Sequence, residues 1–538
     1  MNGKPRPRRQ RTSTVSSYRR GTWLAAAGAG VLAATAGVAA ASFVAALFTG
    51  VPSPVVSVGN AVIDLAPPAV ETFAVEQLGT ADKPVLLGGI VLVLAALAAV
   101  TGVVGLRRPQ LALVVTAALG MVAMVAATTD RTSLAAVPVT IVPAVVAVVV
   151  SVGSLSWLLS ARARRNGAQA GTWGDPHPGD DVGADFDRRK FLEAVVATSG
   201  VAVVGGLGAW LVGPAEAIAS RAEVRIPAPA TKAAAVPRGA QLAVEQITPY
   251  LTPNADFYRI DTALNPPDVP ADTWSLRIHG LVDEPFVLDF AQLLERRLVE
   301  RRVTLTCVSN EVGGDLAGNA TWVGVPLRDL LDEAGVQPGA DAVLSTSADG
   351  FTAGTPLAAL TDGRDAMVAV GMNGEPLPIV HGFPARIVVP GLYGYVSATK
   401  WLTDIEVTRF ADFSAYWTER GWSEQGPIKT ASRIDVPGSY ADLAPGQVTV
   451  AGVAWAQQRG IERVEVRVDG GDWNQARLAA ADGIDTWRQW VWQWSAEPGE
   501  HALEVRATDG TGSTQTGAQA PTRPNGATGW HRVTVTVA

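Results

Sequence analysis

Five stretches of this chain, Gly21 to Phe48, Val85 to Leu106, Leu111 to Ala127, Leu134 to Leu159 and Val195 to Val212, contain no Lys, Arg, Asp, Glu or His. A helix that crosses a bilayer needs about 20 consecutive, mostly apolar residues, so the chain is expected to cross a membrane five times. The third and fifth stretches are short by that count, and flanking Thr, Gly and Ala residues are expected to complete them. Buried helices of a water-soluble protein would not run in such an uncharged series.

The cations set the orientation. Lys4, Arg6, Arg8, Arg9, Arg11, Arg19 and Arg20 precede the first stretch, Arg107 and Arg108 follow the second, and Arg162, Arg164 and Arg165 follow the fourth. All three clusters fall on one face of the bilayer, which the positive-inside bias makes the cytoplasmic one. Five crossings then place everything after about residue 215 outside, in a multi-pass plasma-membrane protein with a cytoplasmic N-terminus. The seven N-terminal cations of a chain with net charge -7 leave -14 on the remainder, the wrong sign for a nucleic-acid surface.

The organisation expected is a basic N-terminus (1–20), four transmembrane helices (21–160), a cytoplasmic loop (161–190), a fifth helix (191–214), a Pro- and Ala-rich linker (215–248), a globular domain (249–425) and a second, strand-rich domain (426–538). The external part is too long for one typical core, and a break near 425–435 divides it. Within it, Leu327, Leu330 and Leu331 at i, i+3, i+4 spacing, with Gly335 as a stop, predict a helix over 326–335. After Pro427, runs such as Ile461–Asp469 and His501–Asp509 alternate at period two between turn residues, as in an immunoglobulin-like β-sandwich.

Cys307 is the only cysteine. It can form no disulfide within the chain and cannot build a structural zinc site by itself. The β-branched run Val303–Thr306 before it and the Gly- and Asn-rich stretch after it place the thiol where a strand opens into a loop. A small buried hydrophobe and a soft metal ligand are both compatible with that position.

Two resemblances bear on the choice. Arg188-Arg189-Lys190-Phe191-Leu192 before a Gly/Ala/Val-rich stretch resembles the twin-arginine export signal, here placed internally, which implies export of a domain folded around its cofactor. Six motifs, Asn254-Ala-Asp-Phe257-Tyr258, Thr304-Leu-Thr-Cys307-Val-Ser-Asn310, Trp322 to Leu331, Asn373 to Pro378, His381 to Tyr395 and Lys400-Trp401-Leu402, resemble in order and spacing the sulfite oxidase family of molybdopterin enzymes. The resemblance runs from about residue 249 to the C-terminus. It implies a fold of three parts: a five-helix transmembrane region, an α+β sulfite-oxidase-type molybdopterin domain and an all-β immunoglobulin-like dimerisation domain.

By that resemblance Cys307 is the thiolate ligand of molybdenum, whose other sulfurs come from the pterin, with one Mo-molybdopterin per chain. Asn254, Phe257, Tyr258, Thr346, His381, Arg386, Ser397, Thr399 and Lys400 would hold the cofactor, Arg386 meeting its phosphate with a permanently charged planar fork. Tyr393 and Tyr395 would stand near the open face of the metal. The chain also departs from the family. Animal and plant sulfite oxidases carry arginines for the sulfite anion at positions that correspond here to Ile260 and to Glu311-Val312. An acid and two aliphatic residues are unsuited to a dianion, and Arg259 is offset from Ile260 by one residue of a strand.

The expectation is therefore oxygen-atom transfer on a small or protein-bound S-oxide or N-oxide, with sulfite oxidation as the alternative. A membrane or periplasmic partner would carry the electrons, and the chain would form a homodimer. No haem or zinc is expected, because none of His177, His279, His381, His501 and His531 lies in an apolar stretch. A membrane-tethered immunoglobulin-like binding protein without redox activity would also carry the apolar stretches and the sandwich, but would leave Cys307, Arg386 and the arginine pair unexplained. Uncharged spans argue against a transporter.

Overall fold

The structure, a computed structural model, describes residues 13–48, 50–67, 70, 82–133, 135–163, 188–212 and 215–538. The chain divides into two compact units, Met1–Ala215 with Ala263–Asn265, and Glu216–Thr262 with Pro266–Ala538.

In the first unit four helices are long and apolar enough to cross a membrane: Trp23–Ala46, Lys83–Gly105, Pro109–Thr129 and Val137–Ser160. The third gains its length from flanking Pro, Gln and Thr residues, as the short apolar count required. The expected fifth stretch lies in a helix, Arg188–Val212, whose apolar part, Leu192–Leu207, is shorter than the other four. Residues 1–12 and 164–187, with most of the basic N-terminus, most of the 161–190 loop and His177, lie outside the described residues.

The helix Ser13–Ala46 packs against Asp82–Gly105, Val142–Ala163 and Arg188–Val212. Its approach to Asp82–Gly105 is reciprocal and needs glycine on both sides. A Cβ on Gly30 would lie 2.0 Å from the Ala98 carbonyl oxygen, and one on Gly102 would lie 2.1 Å from that of Ala26. In lipid, where apolar burial favours neighbouring helices little, such backbone contact is a main source of packing. A further helix, Pro54–Leu65, was not expected from apolar length. At 12 residues it is too short to span, and its buried Asn60 amide donates to Asp130 Oδ1 (3.0 Å) and Thr132 Oγ1 (3.1 Å).

The second unit opens with a helix, Ala215–Glu223. The 224–248 segment expected as a linker is not loose: the Ala230 amide donates to the Leu298 carbonyl (2.8 Å), and the Leu242 amide to Gln489 Oε1 (2.6 Å). Ten strands follow: β1 (Ser275–Gly280), β2 (Phe286–Asp289), β3 (Val299–Thr306), β4 (Ala317–Pro326), β5 (Ala342–Ser347), β6 (Thr352–Pro356), β7 (Met367–Met372), β8 (Glu375–Pro376), β9 (Arg386–Val388) and β10 (Leu402–Thr408). One sheet runs β2-β1-β10-β5-β6, and the other β3-β4-β7-β8 with β9 on β7. The predicted helix forms over Leu327–Ala334. Leu327, Leu330 and Leu331 are fully buried, and Gly335 caps it at φ 68°.

The C-terminal region is strand-rich. β11 (Ala431–Val436), β13 (Gly446–Trp455), β16 (Arg477–Leu478) and β17 (Arg488–Ala496) form one sheet in the order β11-β13-β17-β16. β12 (Asp442–Leu443), β14 (Ile461–Val468), β15 (Asn474–Gln475), β18 (Gly499–Asp509) and β19 (His531–Val537) form a second, β12-β19-β18-β14-β15. Val450 and Trp490 of the first share a core with Val464, Leu503 and Val535 of the second. The larger core of the α+β region continues past residues 425–435 to take in Val453, Trp455 and Trp487. The α+β region and the C-terminal two-sheet region are thus fused through buried side chains.

Gly102→Leu should separate the Ser13–Ala46 and Asp82–Gly105 helices. A lower melting temperature of the detergent-solubilised protein, absent in Gly88→Leu, where nothing lies within 4 Å of the added carbon, checks it.

Candidate active site

β3 delivers Cys307. The strand pairs with β4 in register from Val299 opposite Gly324 to Thr306 opposite Ala317, and the thiol residue opens the loop that follows. That loop closes on itself. The Cys307 amide donates to the Leu316 carbonyl (2.9 Å), the Asn310 amide to the Cys307 carbonyl (3.1 Å), and the Leu316 amide to Asn310 Oδ1 (2.8 Å). Asn310 of the Thr-Cys-x-x-Asn motif is therefore a loop staple. Cys307 is 9% exposed, and burial pushes its thiol pKa up against hydrogen bonds from Ser309 and Val308. Metal binding would have to displace that proton.

Arg386, at the start of β9, is 5% exposed and meets only carbonyl oxygens: His381 (3.1 Å), Ala398 (3.4 Å) and Ile387 (3.4 Å). Its guanidinium lies 5.1 Å from the centre of the Trp322 ring. Among the described residues no carboxylate pairs with it. Burial pulls its pKa down to about 10. A buried charge stripped of a partner costs about 3–5 kcal/mol, and an anion would offset that cost here.

The other expected residues gather around these two. Gly382, at φ 107°, lets the segments holding Arg386 and Lys400 close in, since a Cβ there would lie 3.1 Å from Arg386 Cβ and 3.0 Å from Lys400 Cβ. Lys400 pairs with Asp261, which also takes Arg259. His381 is 3% exposed and shares a hydrogen bond between Nε2 and the Asn254 carbonyl oxygen (2.8 Å). Burial, with Arg386 and Arg259 nearby, lowers its pKa to about 4, so the ring is neutral and Nε2 carries the proton. The Asn254 amide donates to Glu375 Oε1 (2.5 Å) and accepts from Asn373 (2.8 Å).

Phe257 stacks on Tyr258 at 5.2 Å and meets His381 edge-on at 5.6 Å. The Tyr258 hydroxyl feels both Cys307 and Arg386, behind the dominant effect of burial, and its pKa is raised. That coupling places Cys307, Tyr258 and Arg386 in one site. Ser397 (1% exposed) donates to the Tyr393 carbonyl at 2.9 Å, and Thr399 is 2.7 Å from Ser345 Oγ.

Thr346 stands apart. Ser345 reaches Thr399, and alternation along β5 turns Thr346 to the opposite face. The two tyrosines also separate. Burial raises the Tyr393 pKa to about 12, with Cys307 adding to it, whereas the Tyr395 hydroxyl donates to the Ser423 carbonyl (2.6 Å) beside Trp422. Of the two, it is Tyr393 that the thiol influences. Of the departures from the anion-binding pattern, Ile260 is 42% exposed and Glu311 is exposed on the loop.

Several contacts come from residues that the sequence gave no reason to select. The Thr304 amide donates to the Asp485 carbonyl (2.9 Å), its carbonyl accepts from Gln457 (2.7 Å), and its hydroxyl accepts from the Trp487 amide (2.8 Å). Arg433 donates to the Gly314 carbonyl (2.7 Å) and to Asp435 (2.7 Å). A Cβ on Gly313 would lie 2.1 Å from the His531 ring. These partners lie far along the chain, in ordinary strand and turn sequence.

The chemistry of the donors fits molybdopterin. Among the described residues no cluster of three metal-ligating side chains occurs, so a metal held by Cys307 must bring most of its ligands with it. Arg386 and Lys400 would provide two cations for a phosphate tail, with neutral His381 packed beside them, its one proton held by the Asn254 carbonyl.

Residues 263–417 match the family model of the oxidoreductase molybdopterin binding domain. Sulfite oxidase of Gallus gallus is 30% identical over 338 residues, covering 53% of this chain and 72% of that protein. The uncharacterised oxidoreductase YuiH of Bacillus subtilis is 33% identical over 178 residues, covering 32% of this chain and 86% of its own. The chain belongs to the sulfite oxidase family. Against the mitochondrial sulfite oxidase of Macaca fascicularis it is 31% identical over 346 residues, 54% of this chain, and spans 62% of that relative's length.

Two outcomes follow for this member of the sulfite oxidase family. Arg386→Gln should lower molybdenum retained after purification by about tenfold or more, read by metal analysis, while Thr346→Ala retains it. His381 titrates near 6.5 when unfolded and near 4 when folded, so the unfolded chain binds the extra proton between those values. Its contribution to stability is present above pH 6.5 and is lost as pH falls towards 4. Melting temperature against pH should fall less steeply over that window in His381→Gln.

Proposed function

We propose that the chain is a membrane-anchored, extracytoplasmic molybdopterin-dependent oxidoreductase that transfers an oxygen atom to or from an S-oxide or N-oxide. Molybdopterin would supply two-electron oxygen-atom transfer when bound. In the direction of reduction, the oxide takes two electrons and two protons and leaves as the sulfide or amine plus water. The electrons would come from a membrane or periplasmic partner, and the immunoglobulin-like C-terminal region would support a homodimer. Asn254, Phe257, Tyr258, His381, Arg386, Ser397, Thr399 and Lys400 would bind the cofactor, Cys307 would ligate the metal, and Tyr393 would face the substrate.

The observation that carries this reading is a lone buried thiol and a buried guanidinium that no described carboxylate pairs, both acting on the Tyr258 hydroxyl, with Glu311 on the thiol's loop where an oxyanion would need a cation. Sulfite oxidation is the second reading, favoured by the names of the curated relatives. Assay of the purified, molybdenum-loaded protein with a reduced dye donor and methyl sulfoxides, and with an oxidised dye acceptor and sulfite, separates the two. Faster oxide reduction is expected; faster sulfite oxidation would replace this reading with the second.

The four long apolar helices and Arg188–Val212 as a fifth crossing would anchor the enzyme with its N-terminus in the cytoplasm. Replacing Arg188 and Arg189 together by Lys should keep the domain inside the cell, measured by protease accessibility in spheroplasts. Accessibility equal to that of the parent protein would exclude the twin-arginine route.

A further inference from the structure

A cavity of about 280 Å³ adjoins the Cys307 loop, and its walls come from the α+β region and the two-sheet region. Thr306, Glu311 and Tyr393 line it on one side, and Lys429 and Trp455 are among the residues that close the other. Thr306 immediately precedes Cys307, and Asn310 to Gly313 follow it, so the cavity lies along the Cys307 loop. Thr306 is 2% exposed, and its hydroxyl has no hydrogen-bond partner among the described residues. A buried hydroxyl on a cavity wall without a partner is a vacant donor for a ligand oxygen.

The charges in the cavity are unequal in availability. Lys429 Nζ is already engaged by Asn525 Oδ1 (2.9 Å) and the Gly526 carbonyl (2.5 Å), and burial disfavours its ammonium. The nearby guanidiniums are also committed, Arg433 to Asp435 (2.7 Å) and Arg459 to Asp509 (2.8 Å). Glu311 is exposed, and none of the hydrogen bonds or ion pairs of the described residues uses its carboxylate. Tyr393 and Trp455 add aromatic surface, which attracts cations.

We propose that this cavity selects oxides with a positive centre next to the transferable oxygen, such as tertiary amine N-oxides, with Glu311 as the selecting residue and Thr306 as donor to the oxide oxygen. This rests on the oxide reading above and narrows it. An N-oxide places formal positive charge on nitrogen and negative charge on oxygen, matching a carboxylate on the loop and a hydroxyl on the wall. Sulfite, which brings negative charge without a positive centre, meets Glu311 unfavourably.

The test compares the molybdenum-loaded parent with Glu311→Gln. With trimethylamine N-oxide and dimethyl sulfoxide as substrates, the ratio of kcat/KM for the first over the second should fall about fivefold or more in the variant, and kcat/KM for sulfite should rise. Calorimetric titration with tetramethylammonium, an unreactive cation, should show binding to the parent that weakens by a similar factor in Glu311→Gln. A preference ratio and a tetramethylammonium affinity that do not move would overturn the Glu311 assignment while leaving oxide reduction standing. No turnover of either oxide by the parent would overturn the oxide reading itself.

Discussion

Thr304 holds the site together. Three residues before the thiol, its amide, carbonyl and hydroxyl are each bonded to the C-terminal region, through Asp485, Gln457 and Trp487, and its hydroxyl also donates to Asn319 Oδ1 (3.1 Å) on β4. Beyond Cys307 the loop is held again, by Arg433 on the Gly314 carbonyl. Cys307 is thus clamped on both sides by residues more than a hundred positions away. Preorganisation of this kind fixes a ligand within the tolerance that chemistry needs. It also explains why the larger hydrophobic core runs across the boundary between the α+β region and the two-sheet region.

Electrostatics divides the site into two ends. At one, Arg386, Lys400 and Arg259 surround His381, and Asp261 answers Lys400 and Arg259 but not Arg386. At the other, Thr306 and Tyr393 line a cavity along the Cys307 loop, and the guanidiniums near it are spoken for. Tyr258 lies between, sensing both the thiol and the guanidinium. On the proposed reading an anionic tail would sit at the first end, and a substrate of low negative charge at the second.

Much of this was legible in the sequence because it is local. Uncharged runs mark the long helices, Leu327, Leu330 and Leu331 mark the helix they bury, and the motifs around Cys307, His381 and Arg386 mark the family. What escaped was set by tertiary contact. The helix Pro54–Leu65 is too short and too polar at Asn60 to be found by apolar length, and its stability comes from the 130–132 turn. The bonds of Ala230 and Leu242 could not be read from a Pro- and Ala-rich composition. Tyr393 and Tyr395 are two residues apart and alike in sequence, yet one is influenced by the thiol and the other is tied to Ser423. Thr346 shares a strand with Ser345 but not its face, which period-two alternation decides only once Thr399 is located.

The account stands on Cys307 as a metal ligand. Molybdenum X-ray absorption spectra of the purified protein and of Cys307→Ser, both prepared in cells able to make the cofactor, test this directly. The variant should show one fewer sulfur neighbour at bonding distance than the parent. An unchanged sulfur shell would contradict the assignment and return Cys307 to the role of a buried apolar side chain.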